Sequence, residues 1–218
     1  MRKAPSDMAA GTRHVSNNCG EFEIIEYVNK SNIIIRFTTT GREKTVHSSG
    51  IRSGSVKDKY LPSIYGVGFI GEGEFKPSHK SKLTKEYTTW SDMLRRCYDE
   101  NRLSEKQTYK GCKVCDEWHN FQNFAEWMSK QDYEGKDLDK DIKIKGNKVY
   151  GPETCTFVTH AENVIEARAK HYEFTSPEGS AVGIYNLTEF CRDENLDASA
   201  MAKLHAGKLN QYKGWTKA

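Results

Sequence analysis

Short apolar runs broken by polar turns fill the first third of the chain, and helical spacing takes over after them. Phe22 to Val28 and Ile33 to Thr39 are β-branched and aromatic runs split by Asn29-Lys30-Ser31-Asn32, which is a hairpin signal. Gly41 turns the chain into a third run from Lys44 to His47, so the pattern predicts an antiparallel meander. Ile51 onward, with Gly66, Gly68, Gly71 and Gly73, extends it by short strands and turns to Phe75. Residues 1–20 are polar and aperiodic and read as a flexible arm.

A Lys/Ser/His-rich linker with Pro77 leads to Thr88-Thr89, which are placed to cap a helix carrying Trp90, Met93, Leu94, Cys97 and Tyr98 on one face. Tyr109 to Val114 suits a short strand, and Trp118, Phe121, Phe124, Ala125 and Met128 form a second helical stripe. At that spacing the aromatics belong to packing rather than to base stacking. Leu138 to Ile144 reads as a strand, Gly146-Asn147 as a turn and Cys155 to Val158 as a second strand; Thr159 is placed to cap a helix through Asn163 toward Lys170. This is a ββα unit. His171 to Gly179 is a strand ending in a Pro-Glu-Gly turn. Asn186 then caps a helix with Leu187, Phe190 and Cys191 on one face, and Asn195 ends it. Asp197 caps another, with Leu196 and Met201 as a staple, and Gly207 closes it. Two short helices joined by a tight turn read as helix-turn-helix.

The predicted class is α+β, with boundaries at 1–20 (arm), 21–75 (β module), 76–171 (ββα core with supporting helices) and 172–218 (helix-turn-helix DNA-binding module). Across 218 residues, 29% are charged and the mean hydropathy is −0.78, which suits several small cores better than one large one. No run is long enough to span a membrane and no apolar segment follows the N-terminal charges, so a cytoplasmic protein is expected.

A net charge of +3 with a pI of about 8.4 is only mildly basic. Its distribution says more. Lys203, Lys208, Lys213 and Lys217 give the last eighteen residues a charge of +4 with no acid, the footprint of a polyanion partner. Arg95 and Arg96 lie off the first helical stripe, Lys143, Lys145 and Lys148 crowd the ββα loop, and Arg168 and Lys170 follow Asn163. All are candidate phosphate contacts, although a solvated face is the commoner fate of such residues.

Asp139, Asp141 and Asn163 are hard oxygen ligands suited to Mg²⁺ beside phosphates. On spacing alone the same stretch also describes a solvated turn with Asp and Lys paired at the surface. Six cysteines at uneven spacing suggest free thiols or a metal in a reducing compartment. Cys112-x-x-Cys115, with Cys97 or Cys155 and His119, invites Zn²⁺. A tetrahedral site normally uses two such knuckles and only one is present, so structural zinc is not the favoured reading. Gly66-Val-Gly-Phe-Ile-Gly has the letters of a phosphate loop, but no helix pattern follows it.

The order Asp139-x-Asp141-Ile, Gly146-Asn147-Lys148, Pro152-Glu-x-Cys155, Phe157-Val-Thr and Glu162-Asn163 resembles the HNH ββα-metal nucleases of bacteriophages, the homing endonucleases in particular. The resemblance implies that Asp139 matches the metal-binding Asp, Asn147 the loop Asn and Asn163 the helix ligand. The general-base His of that family falls where this chain has Lys140 or Asp141, which leaves Asp141, a neighbouring His such as His160, or a metal-bound water as the base. Gly183-Ile-Tyr-Asn-Leu, Phe190-Cys-Arg, Gly207-Lys208 and Tyr212-Lys-Gly-Trp215 resemble the nuclease-associated modular DNA-binding repeats that follow such cores, which adds Trp215 to the candidate DNA contacts. N-terminal meanders in similar phage proteins imply an accessory module for DNA or partner contact. Together the resemblances imply a sequence-specific protein that binds double-stranded DNA in the cytoplasm of an infected host cell. They imply cleavage or nicking with Mg²⁺ or Mn²⁺, or else a catalytically degenerate binder lacking the base.

Overall fold

A computed structural model describes residues 4–105, 107–168 and 171–218. The chain is α+β and packs as two compact units, residues 1–131 with 143–156, and residues 132–142 with 157–218. Among the described residues, no helix is long and apolar enough to cross a membrane.

The first unit begins with a four-stranded antiparallel sheet in sequential order: β1 (Arg13–Ser16), β2 (Gly20–Asn29), β3 (Asn32–Phe37) and β4 (Glu43–Val46). Alternation sets the register, with Phe22 opposite Phe37 and Ile24 opposite Ile35, so one face buries Phe22, Ile24, Ile33, Ile35 and Phe37. The expected meander is therefore present. It is larger than the sequence reading, because β1 pairs along β2 and Met8 is fully buried in the same core. The stretch read as an arm thus contributes a strand and a core side chain. A short helix, α1 (Ser48–Arg52), stands where strands were expected, and Ile51 closes the core from it.

Residues read as a linker form the small hairpin β5 (Ser78–His79) and β6 (Lys82–Leu83). Helix α2 (Lys85–Tyr98) starts earlier than predicted: Thr84 Oγ1 caps the Tyr87 N–H at 3.3 Å, which places Thr88 and Thr89 inside the helix. Of the predicted stripe, Trp90, Met93, Leu94 and Cys97 are buried and Tyr98 is half-buried. Helix α3 (Glu100–Glu105) follows, then β7 (Lys113–Val114) and α4 (Phe121–Ser129), whose Phe121, Phe124, Ala125 and Met128 are buried as expected. Burying each large side chain contributes roughly 1.5–3 kcal/mol. Trp90 Nε1 donates to the Trp118 carbonyl at 2.7 Å, satisfying a buried polar group where α2 and α4 meet.

The glycine series is part of this packing. Gly68 lies so close to Leu94 and Trp90 that no Cβ fits, and Gly71, at φ 71°, is closed off by Asn120.

In the second unit, β8 (Lys136–Asp139) pairs with a later strand. The chain between them forms β9 (Val149–Tyr150), which pairs in parallel with β7 in the first unit. The partner of β8 is β10 (Thr156–Thr159), followed by α5 (His160–Arg168). β11 (Tyr172–Thr175) and β12 (Ala181–Ile184) make a hairpin; α6 (Leu187–Asp193) and α7 (Ala198–His205) follow, and β13 (Thr216–Lys217) adds to the other edge of β11. Phe174, Ile184, Leu187, Cys191, Met201 and Leu204 bury together as the core of this part.

Candidate metal and nucleic-acid site

Alternation along β8 builds the first layer of the site. Leu138 is buried, so Asp137 and Asp139 lie on the opposite face of the strand. Phe157 and Val158 of β10 are buried, and the Phe157 ring meets Tyr133 at 6.0 Å. Helix α5 begins with a capping box: Glu162 N–H donates to Thr159 Oγ1 at 3.2 Å, while Glu162 Oε2 accepts from the Thr159 N–H at 2.7 Å. The Thr159 N–H, together with the Thr159 hydroxyl that also donates to Oε2, holds the Glu162 carboxyl below its ordinary value. The box fixes where α5 starts and therefore where His160 and Asn163, one turn apart, sit on it. Helix α5 packs on β8, and His160 Nδ1 lies 3.1 Å from Asp137 Oδ2.

The strand predicted to reach Ile144 stops at Asp139, and Asp139 itself is the cause. Its Oδ1 accepts from the N–H groups of Asp141 and Ile142, both at 2.7 Å, a side-chain turn that competes with continued pairing. Lys140 is buried, and its Nζ donates to Asp141 Oδ2 at 2.6 Å. Charges at both positions aligned with the missing His are thus committed to each other.

Asp139 turns one carboxylate oxygen into the turn and leaves the other outside it, and Asn163 is half-buried on α5; a carboxylate and an amide oxygen are the donor types that hard cations such as Mg²⁺ or Mn²⁺ take. Asp141 has its Oδ2 paired with Lys140 and its side chain partly exposed. Among the described residues, no three His, Cys, Asp or Glu side chains are grouped to hold a metal ion. The zinc candidates fall under the same finding. Cys97, Cys112 and Cys155 are buried and outside any disulfide, burial pushes the Cys115 thiol up, and His119 Nε2 faces Tyr98 Oη at 3.4 Å.

Asn147 belongs to the first unit, whereas Asp139, Asp141 and Asn163 belong to the second. Both ends of the Asn147 amide bond Val149: Nδ2 donates to its carbonyl at 2.7 Å, and Oδ1 accepts its N–H at 3.1 Å. Asn147 therefore shapes the turn that leads into β9. Lys148 Nζ donates to the Thr108 carbonyl, Lys143 and Lys145 are exposed, and Arg95 is half-exposed beside Asp92 at 2.9 Å. Arg96 is enclosed by Tyr109 and Tyr150, and burial pushes the Tyr150 hydroxyl well above its ordinary value. Arg96 thus belongs to packing rather than to an open phosphate surface. The side chain of Arg168, and Lys170 altogether, lie outside the described residues.

In the C-terminal part, Asn186 Oδ1 caps α6 through the Glu189 N–H, Asn195 turns at φ 52°, and Asp197 Oδ1 caps α7 through the Ala200 N–H at 2.7 Å. Gly207, at φ 71°, closes α7, with the Lys208 N–H donating to the Lys203 carbonyl at 2.8 Å. Lys203, Lys208 and Lys213 are exposed. Trp215 is half-buried: its ring packs edge-on to Phe190 at 5.5 Å and to Phe174 at 6.5 Å, against the core of this part.

No protein-family profile matches the chain, and no curated protein matches its sequence. A solved structure described as DNA binding and cleavage by the HNH homing endonuclease I-HmuI is similar over 93% of this chain and 88% of that one, at 12% identity. Its TM-score of 0.23 is too low for the superposition to carry an argument about fold or activity.

Sequence reasoning missed Asp137. The signal was present: Asp137-Leu-Asp139 alternates on a strand, and His160 directly follows the capping Thr159. What it lacked was the packing of α5 on β8 that brings Asp137 and His160 together.

Proposed function

We propose that this chain is a modular protein that binds double-stranded DNA, with a C-terminal helix-turn-helix as the reader. The observation that carries the reading is the α6–α7 pair. Two capped helices joined through a left-handed Asn195 stand on one small core, with Lys203 and Lys208 exposed at the end of the second. That geometry suits a helix laid against a duplex with cations at the phosphates.

A phage-type HNH-like nicking centre is proposed at the ββα unit. Asp139 and Asn163 would hold a divalent ion, which supplies charge neutralisation at the leaving 3′ oxygen when bound. Lys140 and Asp141 hold each other and do not take the proton of an attacking water. His160 is a candidate for that task, since Asp137 holds it through Nδ1 and its Nε2 is the other proton-accepting site of the ring. The second reading is a binder that no longer cuts, and the Lys140–Asp141 ion pair at the position of the missing base favours it.

Two measurements test these readings. Duplex affinity of Lys203→Glu/Lys208→Glu should fall at least tenfold and its salt slope should drop by about two or more; wild-type affinity in this variant would refute the reader. A nicking assay with Mg²⁺ or Mn²⁺ separates the two readings of the ββα unit, because a protein that binds duplex and never nicks is the degenerate form.

A further inference from the structure

The N-terminal sheet carries a basic cleft that neither the ββα unit nor the helix pair uses. Gly41, at φ 68°, reverses the chain between β3 and β4, and its N–H donates to the Phe37 carbonyl at 2.9 Å, so Arg42 emerges from a fixed turn. Residues 57–60 run alongside. Thr40 Oγ1 donates to Asp58 Oδ2, and Lys44 Nζ donates to the Lys57 carbonyl at 3.0 Å, tying the two segments together. Between them is a cleft of about 210 Å³ whose lining includes Arg42, Lys44, Lys57, Lys59, Tyr60 and Glu72.

The charges around it are unevenly matched. Glu43 is bound by Arg36 at 2.6 Å and Glu72 by Lys59 at 2.8 Å, while Asp58 accepts from the Thr40 hydroxyl and the Tyr60 N–H. Every carboxylate at the cleft is thus engaged. Arg42, Lys44 and Lys57 have no carboxylate partner among the described residues. Arg42 is also oriented: its guanidinium carbon lies 3.5 Å from the centroid of the Tyr60 ring. A guanidinium laid on a ring keeps its planar fork of donors available for two oxygens of one anion, which is the preference of phosphate over a point contact.

Size narrows the ligand. Pockets that enclose small organic ligands usually run from about 300 to 1,000 Å³, so this cleft is too small to bury a nucleotide. The Tyr60 face is covered by Arg42 and offers no slot for a base. A single phosphate group on an extended backbone fits.

We infer that the cleft between the β3–β4 turn and residues 57–60 holds a phosphodiester of duplex DNA, with Arg42 as the oriented fork and Lys44 and Lys57 as flanking charges. The inference rests on the duplex-DNA reading and adds a second contact surface, remote in sequence from the helix pair. It makes the N-terminal sheet a clamp on the backbone, contributing affinity without reading bases.

The test is fluorescence anisotropy of the full chain on labelled duplex DNA between 50 and 200 mM salt, comparing wild type, Arg42→Ala/Lys57→Ala and Lys203→Glu/Lys208→Glu. All four positions are exposed, and melting temperatures confirm that each variant folds. Arg42→Ala/Lys57→Ala should lower the slope of log affinity against log salt by about two and weaken binding about tenfold at the lowest salt. Wild-type slope and affinity in this variant, alongside a loss in Lys203→Glu/Lys208→Glu, overturn the cleft and leave the DNA reading standing. Failure of wild type to bind duplex overturns both. A deficit seen only with structured RNA overturns the assignment of the partner.

Discussion

The Nζ of Lys140 lies 2.6 Å from Oδ2 of Asp141, with the lysine side chain 7% exposed and the carboxylate 40% exposed. A cation so enclosed is a partner of its neighbour and is not available to a phosphate. Replacing it with Met keeps the apolar stem and leaves Asp141 partly hydrated, so the loss should be about 1 kcal/mol rather than the 3–5 kcal/mol of a fully buried pair. Denaturant unfolding of Lys140→Met checks this. The salt slope of DNA binding should not change, whereas one phosphate contact at Lys140 would lower it by about one.

Asp139 has a structural duty as well as its candidate chemical one. Its Oδ1 organises the turn at Asp141 and Ile142, so Asp139→Asn, which retains that acceptor, should fold normally. If the wild type nicks, Asp139→Asn should lower the rate at least a hundredfold with duplex affinity intact. Full cutting by this variant would remove Asp139 from the site.

His160→Ala provides a separate outcome. With His160 as base it should reduce nicking by about 10² to 10⁴ while melting temperature and duplex affinity stay at wild-type values. A nicking enzyme indifferent to this change takes its base from elsewhere.

The Thr159–Glu162 box predicts both a mutant effect and a pH effect. Thr159→Ala should destabilise the second unit by about 1 kcal/mol. Glu162 is held below its ordinary value, so the folded state binds its proton less readily than the unfolded chain. The resulting stabilisation is present above the unfolded value near 4.5 and is lost as pH falls through the lower folded value. A Glu162→Gln variant should flatten that part of the acid limb in thermal melts.

Gly68→Ala tests the packing in the first unit. An added Cβ meets Leu94 and Trp90, two fully buried side chains on α2, and overpacking of that kind costs about 1–3 kcal/mol. A melting temperature equal to wild type would show that the contact yields.

Local chemistry determined what lay within a few residues. The β2–β3–β4 meander, the buried stripes of α2 and α4, the caps at Thr159, Asn186 and Asp197, and the left-handed closures at Asn195 and Gly207 were all legible, because alternation, helical period and side-chain capping act over one strand or one turn. The sequence also carried the basic C-terminal tail, since charge needs no fold to be counted. Tertiary structure decided everything that required distant segments to meet. It paired β1 along β2, placed Met8 in the core, capped α2 with Thr84, and stopped β8 at Asp139. It paired β9 with β7, buried Lys140 against Asp141, set Arg96 between Tyr109 and Tyr150, and packed Trp215 against a core, though in sequence the two read as open cation and aromatic. It also set His160 on Asp137 and Arg42 over Tyr60. Whether a polar side chain is a surface group or a structural one depends on what covers it, and that is set by long-range packing rather than by spacing along the chain.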